Sequence, residues 1–336
     1  MRFTQKVEAE QEIKLDLKDK KIIYWLSENA RLPCTEIARK TGLSKDSVNY
    51  RIKNLEKKGI IQGYVAVIDI SKIGYGTYHL FIQLNKTTPD AREQIIKLLK
   101  NLPFVKVVIE FSGRYDFEIG IAAKNIDELD SFITQITEKT SHYLQESQLL
   151  VLSKTYSAKI FPETIDANSA EEKIELPRRE QNQKEKLDKT DIKLLSLLAK
   201  DASLPLYKLG QETKLSADAV SYRIKNLIKM DIITGFNIRI DHTKFKLHHF
   251  HTFLKLTNMK KEIEKEFINF LCSKKSTTHI IKGLGRWDLE FESVFPSHFE
   301  LHDFLKELKN KFPENISEYN SILIYKVYPI NTVKYE

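Results

Sequence analysis

Two cysteines in 336 residues, Cys34 and Cys272, are too few and too far apart to frame a disulfide scaffold. Neither has a second Cys or a His at metal-ligand spacing, so a structural zinc site is excluded and no metal is expected. No window approaches the roughly 20 apolar residues that cross a bilayer. The opening MRFTQKVEAEQEIK is polar and lacks the apolar stretch of a signal peptide. A cytoplasmic, nucleoid-associated protein without membrane contact is expected. Also missing are Gly-x-Gly-x-x-Gly, a phosphate-binding loop and a Ser-His-Asp arrangement, so nucleotide and triad chemistry have no support and no cofactor is expected.

What is present is an ordinary globular composition, 41% hydrophobic against 30% charged, enough for a packed core. Lys and Arg number 54 against 46 Asp and Glu, a formal net charge of +8 that is compatible with a polyanionic partner.

The chain repeats itself. Tyr50-Arg-Ile-Lys-Asn-Leu55 returns as Tyr222-Arg-Ile-Lys-Asn-Leu227, an offset of 172 residues (222 − 50). The same offset carries Leu15-Asp16 onto Leu187-Asp188, Leu32-Pro33 onto Leu204-Pro205, and Gly63 onto Gly235. It also carries Gly113-Arg114-Tyr115-Asp116 onto Gly285-Arg286-Trp287-Asp288. One offset fits both ends of the unit, so a whole module is duplicated almost without gaps, and the period is too long for a solenoid. The expected divisions are a tail at 1–14, a helical domain at 15–65, an α/β domain at 66–161, a polar linker at 162–186, then a second helical domain at 187–237 and a second α/β domain at 238–330.

Asp16 and Asp19 suit an N-cap and an acidic third position of a first helix, with Ile22, Ile23 and Leu26 on its core face. Pro33 starts a second helix, Thr41-Gly42-Leu43 makes a glycine turn, and Ser44 caps a third helix that buries Val48, Ile52 and Leu55. The opposite face of that third helix offers Ser44, Lys45, Ser47, Asn49, Tyr50, Arg51 and Lys53. Amide and guanidinium groups read base edges in a major groove, while Lys and Ser hold phosphates. These residues are the expected contacts to double-stranded DNA, with Ser216, Ser221, Tyr222, Arg223 and Lys225 as their counterparts in the second copy.

After Gly74 the pattern predicts strands at 75–84, 105–111, 117–123 and 147–156 and helices at 90–102 and 126–140. This βαββαβ order is ferredoxin-like, and it recurs from 249 to 327. The fold class expected is α+β: two winged-helix or helix-turn-helix domains, each followed by a ferredoxin-like domain. His248-His249-x-His251 draws the eye, but His249 and His251 share one face, His248 points away, and no acid or Cys ligand stands near in sequence. A mixed sheet face is expected there, and His79 matches His251 by the offset.

Leu15-Asp16-x-x-Asp19, Ile37-Ala38, Thr41-Gly42-Leu43-Ser44, Val48, Arg51-Ile52, Leu55-Glu56, Gly59-Ile60-Ile61 and Gly63-Tyr64 together resemble the leucine-responsive Lrp/AsnC transcription regulators. The resemblance covers both units apart from the tail and linker. It implies a sequence-specific regulator whose α/β domains, called RAM domains, pair with one another and in many members bind an amino acid. In this chain that pairing is expected within the molecule, as a pseudo-dimer, with higher oligomers left open. It also implies an effector site near the hairpins Gly113, Arg114, Tyr115, Asp116 and Gly285, Arg286, Trp287, Asp288, where Arg could meet a carboxylate. The competing reading is a plain hairpin turn that needs glycine, with Asp tying down the backbone.

Siroheme decarboxylases resemble the same family, so an enzyme that uses His79, His251, Arg114 or Arg286 is the alternative. A third reading keeps only RAM pairing. The second copy departs from the pattern: Lys214 replaces Gly42, Asp231 replaces Gly59, and Ala217, Ala219 and Ser221 replace Lys45, Ser47 and Asn49. Net charge falls from +5 over 15–63 to +2 over 187–235. The second reader is expected to be the weaker one.

Overall fold

The computed structural model describes residues 15–85, 88–158 and 187–330. The expected tail at 1–14 and linker at 162–186 lie outside them.

Helix α1 (Leu17–Glu28) opens on a capping box: the Asp16 carboxylate accepts from the Asp19 amide, and Asp19 reaches back to the Asp16 amide. Helix α2 (Cys34–Thr41) enters at Pro33 and ends on Gly42 at φ 64°. Helix α3 (Lys45–Lys57) is capped by Ser44, whose hydroxyl accepts from the Ser47 amide. Strand β1 (Ile61–Ile68) and a 3-10 turn capped by Asp69 lead into the α/β domain. There the order is β2 (Gly76–Leu84), α4 (Pro89–Lys100), β3 (Val105–Ser112), β4 (Phe117–Ala123), α5 (Ile126–Thr140) and β5 (Leu144–Ala158).

The second unit repeats this with α6 (Lys189–Lys200), α7 (Leu206–Thr213), α8 (Ala217–Lys229) and β6 (Ile233–Ile240). Then come β7 (His248–Leu256), α9 (Lys261–Ser273), β8 (Thr277–Leu284), β9 (Leu289–Phe295), α10 (His298–Lys311) and β10 (Ile316–Pro329).

Within each half the strands run β5-β2-β4-β3 and β10-β7-β9-β8, the ferredoxin-like order. Their edges do not stay open. Strand β10 pairs with β3 and β5 with β8, so the two sheets close into one eight-stranded barrel inside a single chain. Closure satisfies the backbone groups that an edge strand would leave unpaired. Alternation sorts the side chains: Leu80, Ile82, Phe117 and Ile119 face the helices of the first half, while Phe81, Phe111, Phe253 and Trp287 fill the barrel.

The heads are joined as closely as the barrel halves. Strands β1 and β6 form an antiparallel ribbon, Tyr64 opposite Ile238. Ile22, Ile37, Val48 and Leu55 of the first head share one core with Leu194, Leu209, Val220 and Leu227 of the second. Each such side chain contributes about 1.5–3 kcal/mol by leaving water. The contacts cross over: the Ala30 amide donates to the Phe236 carbonyl at 2.7 Å, and the Ala202 amide to the Tyr64 carbonyl at 2.9 Å. Arg31 also donates to the Ala202 carbonyl at 2.6 Å. Each head therefore rests on the other unit's strand.

Candidate nucleic-acid interface

Capping and the buried stripe decide which face of α3 meets solvent. With Val48 and Leu55 buried, Lys45, Asn49, Tyr50 and Lys53 are exposed, and Ser47 is half-buried beside the Ser44 cap. On α8, Tyr222 and Lys225 are exposed and Ser221 is half-buried. The Ser216 hydroxyl caps α8 by accepting from the Ala219 amide. Tyr50 is 72% exposed and Tyr222 67%, an unusual place for an aromatic ring unless something covers it. Among the described residues Lys45 and Lys53 have no ion-pair partner, so their charges are available to phosphates.

Arg51 and Arg223 stand apart from the rest of the set. The Arg51 guanidinium sits 2.7 Å from both Asp16 and Asp19, the two carboxylates that open α1. Arg223 repeats the clamp at 2.7 Å to Asp188 and 2.8 Å to Asp191. Hydrogen bonds to these carboxylates raise the pKa of Arg51, and the Asp19 amide and Arg51 hold Asp16 below the usual carboxylate range against a burial effect of opposite sign. Base reading by these two arginines was the expectation; the geometry gives them the work of fastening the third helix to the first. The spacing repeats in both copies, Asp-x-x-Asp and then Arg 35 residues after the first Asp, and that repetition was a signal available in the sequence.

The two hairpins are packed rather than open. Tyr115 and Trp287 are buried in the barrel, and the Trp287 indole donates to the Tyr115 hydroxyl at 3.3 Å. Asp116 accepts from the Leu84 amide at 2.6 Å and Asp288 from the Leu256 amide at 2.8 Å. Gly113 is needed for close approach, since a Cβ there would lie 2.6 Å from Ile322 of the other half. Gly285, at φ 154°, would put one 2.9 Å from the Leu149 carbonyl. Arg114 and Arg286 lie at the rim against Glu146 and Glu318, at 3.9 and 3.0 Å. The turn reading accounts for these residues.

Sequence reasoning missed a groove of about 640 Å³ where α4 of the first half meets β10 of the second. Arg92, Lys97, Lys100, Glu110, Lys326 and Tyr328 line it. Arg92 bridges Glu110 at 3.1 Å and Asp116 at 2.5 Å, so it links the groove to the first hairpin.

The histidines have acids after all. His79 lies 2.7 Å from Glu290 and 3.2 Å from Glu118, and His251 3.3 Å from Glu290. His249 lies 2.8 Å from Glu292. Strand pairing supplies what local sequence could not: β9 lies against β7 with Glu292 opposite His251. Among the described residues no group of three such side chains is arranged to hold a metal ion. Nor is any described helix long and apolar enough to cross a membrane.

Residues 15–62 match the winged helix-turn-helix DNA-binding family and residues 187–228 the AsnC-type helix-turn-helix domain. The HTH-type transcriptional regulator LrpA of Pyrococcus horikoshii is 34% identical over 140 residues, 42% of this chain and 98% of that protein. The proline dehydrogenase transcriptional activator of Rhodobacter capsulatus is 31% identical over 140 residues, 41% of this chain and 90% of that protein. The whole chain is similar in fold to the siroheme decarboxylase NirDL, with a TM-score of 0.61 over 95% of this chain and 94% of that one, at 12% identity. Relatives aligned along nearly their full length, together with a helix-turn-helix in each repeat, place the chain in the Lrp/AsnC family of regulators, in a form that carries the unit twice.

Proposed function

We propose that the chain is a sequence-specific DNA-binding transcription regulator that presents both of its heads from one molecule. The observation that supports this most is the pair of exposed third-helix faces fixed to each other through the β1–β6 ribbon and a shared core. A single-unit regulator must find a partner to set two heads about 34–36 Å apart on one face of DNA. Here the β1–β6 ribbon and the barrel already hold two heads together within one chain. Lys45, Asn49, Tyr50 and Lys53 meet the DNA in the first head, with Ser44 and Ser47 at the helix start. Tyr222 and Lys225, with Ser216 and Ser221, form the poorer face of the second. The operator is then an imperfect palindrome, because unequal heads read unequal half-sites.

An effector with a carboxylate, such as an amino acid, fits the groove at Arg92, Lys97 and Lys326 better than the packed hairpins. The smallest assembly is one chain holding one pseudo-dimer, and the protein works in the cytoplasm on the nucleoid. The enzyme reading rests on a likeness of fold. His79 and His251 are buried against glutamates while Arg114 and Arg286 stand at the rim, so the four side chains do not line one opening.

Selection of bound fragments from random double-stranded DNA, followed by titration at several salt concentrations, tests the reading. Enrichment of an imperfect palindrome is expected, with log affinity falling against log salt at about −0.9 per phosphate contacted. No enrichment together with a flat salt response would overturn it. Turnover of added siroheme would establish the enzyme instead.

A further inference from the structure

The barrel interior is aromatic at one level and ionisable at the next. Phe81, Phe111, Tyr115, Phe253 and Trp287 form the first level. His251 stacks on Phe253 at 4.4 Å between ring centroids, and His79 meets Phe81 edge-on at 6.1 Å. Above the rings sits a box of four side chains, His79 and Glu118 from the first half, His251 and Glu290 from the second. The residues of each kind are equivalent by the 172-residue offset. None has a side chain more than 10% exposed.

Each half closes one contact of its own, His79–Glu118 at 3.2 Å and His251–Glu290 at 3.3 Å. Two more cross between halves, His79–Glu290 at 2.7 Å and His251–Glu118 at 3.5 Å. Buried charges of this kind are tolerated only when matched. With both histidines protonated and both glutamates ionised, the four charges balance. Losing a proton from either histidine leaves a net negative charge in a dry centre that both halves share.

The level beyond the box is one-sided. In the second half Glu292 lies 2.8 Å from His249 and 3.7 Å from His279, with the ring of His242 5.0 Å from that of His249. The first half has Gly120, Thr77, Val107 and Ile70 at those places. The groups that face the box are therefore His249 on β7, Glu292 on β9, His279 on β8 and, farther out, His242 before β7. Strands β5 and β10 turn Leu150, Leu152, Ile322 and Ile324 inward here, and Gln148 of β5 is uncharged and accepts from the Tyr115 hydroxyl at 2.5 Å.

We propose that the His79–Glu118–His251–Glu290 box is a proton-operated joint whose protonation sets how tightly the barrel closes along the β3–β10 and β5–β8 seams. The box stands on β2, β4, β7 and β9, and its two crossed contacts span the barrel interior from one half to the other. The backbone ties between the barrel halves are the two seams, so a loosened box shows at the seams before the ladders inside each half. The joint belongs to the barrel and stands whether or not the heads read DNA.

Burial alone would lower His79, but Glu118 and Glu290 push it up to about 9. Glu290, Glu118 and Glu292 raise His251 in the same way against burial. A histidine raised in the fold stabilises it below its ordinary range, near 6.5, and that contribution is lost as pH climbs through about 9. Burial pushes Glu118 up to about 7, so its ionisation on rising pH acts in the same direction. On the acid side, burial would raise Glu290 and Glu292, yet the histidines hold both low, so they favour closure above the ordinary carboxylate range and lose this as pH falls below it. Burial lowers His242 and His279, so protonating them also opposes the fold. The joint is tightest between these limits and loosens on the alkaline side.

Amide hydrogen exchange on the full chain from pH 6 to pH 10 tests this, comparing the seams with the β2–β4 and β7–β9 ladders at each pH so that the intrinsic rate cancels. Seam protection relative to the ladders should fall at least tenfold through an inflection near pH 9. The Glu118→Gln, Glu290→Gln double variant should move that inflection down toward the ordinary histidine range. Ring NMR titration of His79 and His251 in the unaltered chain decides the matter if the variant does not fold. Equal loss at seams and ladders, or histidines that titrate in their ordinary range, would overturn the joint.

Discussion

The first head ends α2 on Gly42 at φ 64° and passes α3 into β1 through Gly59 at φ 68°. The second head holds the same two backbone conformations with Lys214 at φ 59° and Asp231 at φ 54°. It keeps the arginine clamp, the serine cap and the buried stripe, yet its outer face has traded Lys45, Ser47 and Asn49 for Ala217, Ala219 and Ser221. The inward positions stay apolar, with Leu194, Leu195 and Leu209 where the first head has Ile22, Ile23 and Ile37. The outer face keeps Tyr222 and Lys225 in the places of Tyr50 and Lys53 but is otherwise thinner. Scaffold and reading surface are separable properties of one helix.

The barrel halves give the strongest test of that distinction. Trp287→Ala empties a fully buried site at the centre and should cost about 3–5 kcal/mol in chemical denaturation. Tyr115→Phe, at the equivalent place in the other half, removes only a hydroxyl that meets Trp287 and Gln148, and should cost about 1 kcal/mol. Equal losses would mean that the centre is not packed as described.

DNA affinity should separate the heads next. Asn49→Ala should weaken specific binding by about 1–3 kcal/mol if the amide reads a base edge, measured by fluorescence anisotropy. Ser221→Ala should cost less than half of that. Grafting Ala217→Lys with Ser221→Asn should strengthen binding and steepen the salt dependence by about one phosphate. A larger loss at Ser221 would reverse the ranking of the heads.

Arg51→Ala sharpens the comparison from inside. If the clamp is its work, thermal stability of the head should drop by about 1 kcal/mol, and Arg223→Ala should match it because both sites are built alike. A large loss of DNA affinity with unchanged melting would return Arg51 to the reading face.

The smallest effect is at the turns. Lys214→Gly should stabilise the second head by about 0.5–1 kcal/mol, the relief of a left-handed residue less the added chain entropy of glycine. Gly42→Lys should destabilise the first by a similar amount in the same melt. Asp231→Gly should do less, since Asp tolerates this conformation better than Lys.

Much of this was legible beforehand. The offset between Tyr50 and Tyr222 is carried through the fold: β2 and β7, β4 and β9, and α3 and α8 begin and end 172 residues apart. Capping by Asp16, Ser44 and their counterparts, and the periodic burial of Val48 and Leu55, are local properties that composition and spacing encode. What escaped was long-range. His251 meets Glu290 only after β7 has paired with β9, and His79 reaches Glu290 only after the two sheets have closed. No window of sequence contains both partners. Closure itself depends on which edges meet, and the edge strands β3 and β10 carry no residue that names its partner.

The crossed docking of the heads has a consequence for descent. A gene that doubles can ordinarily discard one copy once that copy stops earning selection. Here Ala30 and Ala202 tie each head to a strand encoded in the other half, so truncation would strip apolar surface from the survivor. The second head serves the first as masonry, whatever its own outer face reads. Folding thus ties the two heads into one unit, and substitutions on the outer face of α8 should disturb it less than those at Val220, Ile224 and Leu227 beneath.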